Sequence, residues 1–166
     1  MICETCKNKT WCRYVESGVS VCEYYKESKP AFIRPNKNEY YLGIAAAVSR
    51  RSTCLRRQYG AVIVNNDEII STGYNGSPRG EENCCDRGTC YREGCKHNDG
   101  NYDSCCSVHA EMNAIISASR AEMLGATLYL YGEENGQAIA AEPCPICERL
   151  IKNAGIKEVI AIHEES

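Results

Sequence analysis

The amino-acid sequence predicts an α/β fold: three layers, with a central sheet between helices, preceded by a small cysteine-rich extension. Two observations lead there. From about Asn38 onward, stretches with apolar residues at helical spacing alternate with short β-branched runs, the pattern of a sheet covered by helices. Residues 1–30 lack that periodicity, hold Cys3, Cys6, Cys12 and Cys22, and end at a break at Pro30. The expected division is an extension, 1–30, and a main domain, 31–166, which suits a chain of 166 residues.

The elements follow in order. "EYYLGIAAAVSRRS" places Leu42, Ala45 and Ala46 at helical spacing. "YGAVIVNN" (59–66) and "EIISTGYN" (68–75) are β-branched runs joined through Asn-Asp, which suits a hairpin. A cysteine- and glycine-rich stretch over about 76–107 has no clear period, so it is functional or tied down by something other than a core. A helix over 109–120 carries Met112, Ile115 and Ile116 on its apolar side, and "ATLYLY" (126–131) is a strand. After a polar loop, "PICERLIKNAG" (145–155) is a helix stopped by Gly155, and "IKEVIAIH" (156–163) is a last strand.

Composition narrows the function classes. The net charge is −3, and the one basic tract is "RRSTCLRR" at 50–57, which argues against a general nucleic-acid binder while leaving room for a phosphate. No apolar run approaches the roughly 20 residues of a membrane span, and the N-terminus lacks a signal peptide's apolar stretch. The expectation is a cytoplasmic protein without membrane contact. Thirteen cysteines in such a protein favour metal ligation over disulfides, because the number is odd and reducing compartments disfavour bridges.

The strongest chemistry lies at two helix starts. His109 and Glu111 open one helix, and Cys144 and Cys147 flank the start of another, with Cys144 between Pro143 and Pro145. One imidazole and two thiolates give zinc three ligands and leave a fourth position open to water. Helix N-termini favour negative charge, which helps hold the two thiols as thiolates. Glu111 is near the metal without being needed as a ligand, so it is placed to take the water's proton and to hand protons in turn to a ring nitrogen and a departing amine. Taken singly, His-x-Glu is commonly a surface accident, and Cys-x-x-Cys is equally a redox pair or a structural half-site. Jointly, H-x-E followed by P-C-x-x-C is the pattern of zinc nucleobase deaminases.

These residues resemble the cytidine deaminase-like superfamily and, within it, the deoxycytidylate (dCMP) deaminases. The likeness spans about residues 40–162, through "RSTCLRRQYGAVIV", "IISTGYNGSPRG", "HAEMNAI" and "PCPICERLIKNAGIKEV". "GYNGSP" discriminates best, because tRNA adenosine, guanine and free-cytidine deaminases diverge there. The resemblance implies a three-layer α/β/α sandwich with a mixed central sheet. It implies hydrolysis of dCMP to dUMP and ammonia for thymidylate synthesis, and a homohexamer activated by dCTP and inhibited by dTTP. Carried over, His109, Cys144 and Cys147 become zinc ligands, Glu111 the proton shuttle and Asn75 a substrate contact. Gly73, Tyr74, Asn75 and Gly76 are the segment associated with nucleotide regulation.

A monophosphate needs cationic donors, with Arg best suited to two-point contact. Arg50, Arg51, Arg56, Arg57 and Arg79 are candidates; Arg51 and Arg79 are favoured for lying in family-like segments, and Ser52 could add a hydroxyl. Two departures stand out. "YGEENGQAIAAEP", before the metal cysteines, is longer than the family's short link, so substrate choice and regulation could differ. Cys3, Cys6, Cys12 and Cys22 suffice for a structural zinc site, an iron–sulfur cluster, or unligated thiols. In the long loop, Cys85, Cys90 and Cys105 with Cys95 or His97 could hold a further structural zinc, whereas His163 reads as a surface residue. The competing readings are a deaminase of another cytosine nucleotide and a zinc-stabilised nucleic-acid-binding module, and Glu111 argues against the second.

Overall fold

The computed structural model describes residues 33–95 and 105–162. The elements are α1 (Lys37–Ser49), β1 (Gln58–Asn65), β2 (Glu68–Tyr74), α2 (Cys84–Arg87), α3 (Ala110–Ile116), α4 (Arg120–Met123), β3 (Thr127–Glu134), β4 (Gln137–Ile139), α5 (Pro145–Ala154) and β5 (Glu158–Ala161). Strands β2, β1 and β3 run antiparallel in that spatial order; along the far side of β3, β5 pairs in parallel and β4 antiparallel. The sheet is therefore mixed, as expected.

Alternation along the strands creates the layers. Ala61, Ile63, Leu128 and Leu130 face α3 and α5, packing with Ala110, Ala114, Ile151 and Ala154. Val62, Val64 and Tyr129 face the opposite way, toward Tyr41 and Ala45 of α1. Helix α1 starts in a reciprocal cap: the Asn36 amide oxygen accepts from the Glu39 N–H at 3.0 Å, while the Glu39 carboxylate accepts from the Asn36 N–H at 2.8 Å. Its buried face is Tyr41, Ala45 and Ser49 rather than one built on Leu42 and Ala46.

Three other expectations change. The helix foreseen over 109–120 is two: α3 ends at Ile116, and Ser119 with Glu122 forms a second reciprocal cap that opens α4. Its buried face is Ala110, Glu111 and Ala114, whereas Ile116 is 72% exposed. The reason is close approach: a Cβ on Gly73 of β2 would lie 2.3 Å from the Ala110 carbonyl oxygen and from the Ala114 nitrogen, so only small residues fit between. Ser71 Oγ donates to the Ala114 carbonyl at 2.7 Å, and Asn113 Nδ2 to the Tyr74 carbonyl at 2.7 Å, holding α3 down on β2. Gly73→Ala is accordingly expected to lower stability by about 1–3 kcal/mol or more, because backbone rather than a side-chain tip must move. The shift of the urea midpoint measures it.

The third change concerns the long segment before Cys144. It is a hairpin, not a polar loop: Glu134 pairs with Gln137, and Asn135 (φ 53°) and Gly136 (φ 78°) make the turn. The hairpin continues β3 past the end of β5. The Ala141 N–H then donates to the Ile162 carbonyl at 3.1 Å, which aims the chain at Cys144.

Candidate metal centre and its cavity

His109 and Cys144 occupy the same position in two neighbouring helices. Each is an N-cap in extended backbone, at φ −71° for His109 before α3 and φ −68° for Cys144 before α5, and neither side chain caps its own helix. Pro145 sits in the first turn of α5, where it loses no helical hydrogen bond. A two-bond bridge between Gly76 and Val108 (2.8 and 3.1 Å) anchors the approach to His109. His109 Nδ1 lies 3.5 Å from Cys144 Sγ and 3.3 Å from Cys147 Sγ. Ligands at about 2.0–2.1 Å (N) and 2.3 Å (S) around a tetrahedral zinc stand roughly 3.6 Å apart. The three residues fit that ion, and among the described residues they are the one His/Cys/Asp/Glu group so gathered.

Glu111 is buried on the inner face of α3. Burial holds its carboxyl above the usual range, against the pull of its own backbone N–H, His109 and Cys147. Burial likewise pushes the Cys147 thiol far up, helped by the Glu111 and Cys144 charges. The helix N-terminus therefore works against burial at Cys147, and a cation at the cluster would favour the thiolate further.

The cluster opens into a cavity of about 120 Å³, whose wall includes Tyr59, Asn75, His109, Glu111 and Cys144. Arg56, Arg57 and Arg92 line the same cavity. Arg51 and Arg79, the favoured phosphate contacts, are exposed and do not line it. Arg56 donates to the Arg92 carbonyl at 2.9 Å and the Cys95 carbonyl at 2.6 Å, which orient its charge without neutralising it. Arg57 is paired with Glu134 of the hairpin at 3.1 Å and sits beside the Tyr59 phenol, whose ionisation burial pushes up. Spacing offered no sign of Tyr59, Arg92 or Glu142 as wall residues, since each reaches the cavity from a different segment.

Asn75 lines the cavity, but its amide is largely committed. Its Oδ1 accepts from the Tyr59 N–H and from Ser52 Oγ, both at 2.7 Å, and its Nδ2 donates to the Arg57 carbonyl at 2.9 Å. One N–H remains for a ligand. Ser52 faces Asn75 rather than the cavity, so it braces the asparagine instead of meeting a phosphate. In the segment 73–76, Gly73 and Gly76 serve packing, and Tyr74 is its exposed side chain.

The loop cysteines do not gather as expected: among the described residues, no metal-sized group forms from Cys85, Cys90, Cys95 and Cys105. Cys85 is exposed, 3.6 Å from the Asp86 carboxylate. His97, His163 and Cys3, Cys6, Cys12 and Cys22 lie outside the described residues.

Residues 35–163 match the family described as the cytidine and deoxycytidylate deaminase zinc-binding region. The chain belongs to this family. Among its relatives, a deoxycytidylate deaminase of Mycobacterium phage D29 is 40% identical over 133 residues, covering 76% of this chain and 94% of the relative. One of Schizosaccharomyces pombe is 37% identical over 132 residues, covering 79% of this chain and 38% of that longer relative. A crystal structure of the cyanophage S-TIM5 dCMP deaminase in complex with dCMP and dUMP aligns with TM-score 0.54 and 30% identity, covering 78% of this chain and 82% of that one. The family's zinc-binding region contains His109, Cys144 and Cys147, the residues whose geometry fits zinc. No helix among the described residues is long and apolar enough to cross a membrane.

Proposed function

We propose that the chain hydrolyses dCMP to dUMP and ammonia in the cytoplasm, with His109, Cys144 and Cys147 holding zinc and Glu111 moving the protons. The observation that carries this reading is a buried carboxyl beside a three-residue cluster of zinc-ligand geometry, in a cavity lined also by three arginines. Zinc held by His109, Cys144 and Cys147 would lower the pKa of a bound water from about 15.7 to roughly 7 and so supply hydroxide at neutral pH. Glu111 takes one proton from water and hands it to the pyrimidine ring nitrogen as the oxygen adds to the ring carbon. The second proton, from the hydroxyl so formed, passes by way of Glu111 to the amine, which leaves as ammonia while the oxygen stays as the carbonyl. Its raised pKa suits this: burial moves the carboxyl away from the strongly acidic range, toward a group that both takes and returns a proton. The remaining Asn75 N–H orients the sugar or base, with Ser52 and the Tyr59 N–H fixing the amide plane.

Arg56 is the phosphate contact, because carbonyls set its direction while leaving its charge available. Arg57, engaged by Glu134, shapes the wall from the hairpin side. Arg56→Ala is expected to weaken kcat/KM for dCMP about 10- to 100-fold, the worth of one charge-assisted contact, and to leave deoxycytidine nearly unchanged. Equal losses on both substrates would sink this assignment. The function itself is tested by ammonia release from dCMP, dCTP, deoxycytidine, CMP and cytosine, with zinc quantified in the same sample. Preference for another cytosine nucleotide would shift the substrate and leave the chemistry.

Regulation by dCTP and dTTP, with a homo-oligomeric assembly, belongs to the same reading. It is supported by Tyr74 at the outer end of β2, an edge strand, and by Ile116 exposed on α3, which packs on that strand. Unchanged rates at subsaturating dCMP with either triphosphate present would remove it.

A further inference from the structure

The hairpin that leads from β3 through β4 toward the metal cysteines is built against the cavity wall. A Cβ on Gly132 would lie 2.7 Å from Tyr59 Cε1 and 3.1 Å from Ile139 Cγ1, so the Tyr59 ring and the Ile139 side chain lie together over bare backbone. Side chains two apart in a strand share a face, which puts Glu134 on the side where Tyr59 lies. There its carboxylate accepts from Arg57 Nε at 3.1 Å, with Arg57 Nη2 also 3.1 Å away. Arg57 and Tyr59 both line the cavity. Their backbone is pinned by the Asn75 amide, which accepts from the Tyr59 N–H and donates to the Arg57 carbonyl.

Exposure orders the cavity from floor to mouth. Cys147 is fully buried and Glu111 nearly so, whereas the side chains of Arg57 and Glu134 are 24% and 33% exposed. Glu142, just before Pro143 and Cys144, lines the cavity and is exposed, and among the described residues no cation pairs with it. A cytosine nucleotide whose ring carbon reaches the metal cluster points its phosphate end back toward the mouth. A first phosphate is within the province of Arg56; a second or third extends further outward, to Arg57–Glu134 and Glu142. Arg57 is already engaged there by a carboxylate, and Glu142 adds a negative charge. At physiological ionic strength a charge is felt over about 8 Å, so both groups act on whatever stands in the mouth.

On the reading that the chain deaminates dCMP, we propose that Glu134 and Glu142 are specificity-determining residues, which hold the site to nucleoside monophosphates and turn away di- and triphosphates. Glu134 withholds a cation that added phosphates need, and Glu142 repels them. Neither effect hinders entry of the ring, and an uncharged nucleoside is indifferent to both.

The test is kcat/KM of the full chain for dCMP, dCDP, dCTP and deoxycytidine, each supplied alone, with the deaminated product identified by chromatography. The decisive comparison is dCDP with dCMP, because dCTP is also a proposed effector. Wild type is expected to favour dCMP, with the preference narrowing as salt is raised. Glu134→Gln and Glu142→Gln are each expected to raise kcat/KM for dCDP relative to dCMP by about 3- to 10-fold, the worth of one charge at a partly exposed site. Deoxycytidine stays nearly unchanged in both. Adding Arg57→Gln to Glu134→Gln removes that variant's gain, since the released guanidinium is what receives the second phosphate. A merely structural role would lower all four substrates together. Should either variant fail to fold, the salt dependence of the wild-type preference decides. A preference that stays constant with salt and in both variants, or wild-type turnover of dCDP equal to that of dCMP, overturns the proposal. Turnover of dCMP with such unchanged selectivity removes only the role of these two carboxylates, whereas no turnover of any cytosine nucleotide removes the deaminase reading and this one with it.

Discussion

Glu111→Gln is expected to lower deamination by about 10²- to 10⁴-fold, the usual worth of a positioned general acid–base, while leaving zinc content unchanged. Glutamine keeps the shape of the side chain and can donate or accept a hydrogen bond, but it cannot carry a proton from water to the ring. Glu111 is 5% exposed on the inner face of α3, so no other solvent-borne carboxylate substitutes easily at that point. The same substitution carries a stability signature. A carboxyl whose folded pKa lies above its unfolded value favours folding at low pH, and that contribution is lost as pH rises through the folded pKa. At pH above the ordinary carboxylate range, burial of Glu111 in the metal-free chain therefore opposes folding, and glutamine relieves that cost. The metal-free variant should melt above the metal-free wild type at pH 7, with the gap closing toward acid pH. A slow enzyme with zinc lost would instead mean that Glu111 is a ligand, and substantial residual turnover would remove it from the proton path.

Cys147→Ser is expected to abolish both zinc and turnover, the opposite partition from Glu111→Gln. Cys147 is fully buried in the first turn of α5, 3.3 Å from His109 Nδ1. Serine preserves size, but its hydroxyl does not become an anion near neutral pH, so the cluster falls to two good ligands. Removing an outer-shell partner of a metal site typically weakens binding by about 10- to 100-fold, and a direct ligand should exceed that. Competition with a chromophoric chelator reads the affinity, and ammonia release reads the activity. Full zinc binding in the serine variant would place the ion elsewhere. Together the two variants separate a group that holds the metal from one that acts beside it.

Much of this arrangement was legible before any coordinates, for a local reason. His109 and Glu111 are two residues apart, as are the prolines flanking Cys144, so each pair's directions follow from one helix start. The strands were equally readable, because β1 and β3 bury most of their central positions and β2 alternates buried with exposed residues in its second half. Two local signals were present but passed over: Asn135-Gly136, which turns the hairpin, and Ser119-x-x-Glu122, which starts α4. The apolar face of α3 was misjudged because Met112 and Ile116 are large, whereas contact with Gly73 demands the small Ala110 and Ala114.

The sequence alone pointed to His109, Cys144 and Cys147 as one set, to the carboxyl beside them and to the alternation of layers, since the two short motifs and the strand periods are each local. Only the tertiary structure decided which arginines reach the cavity, that Ser52 serves Asn75, and that Cys84 meets Cys106 across 22 positions. Those facts depend on segments far apart in the chain converging through packing. Periodicity says which way a side chain leaves its own helix or strand, but not which distant segment will be waiting there.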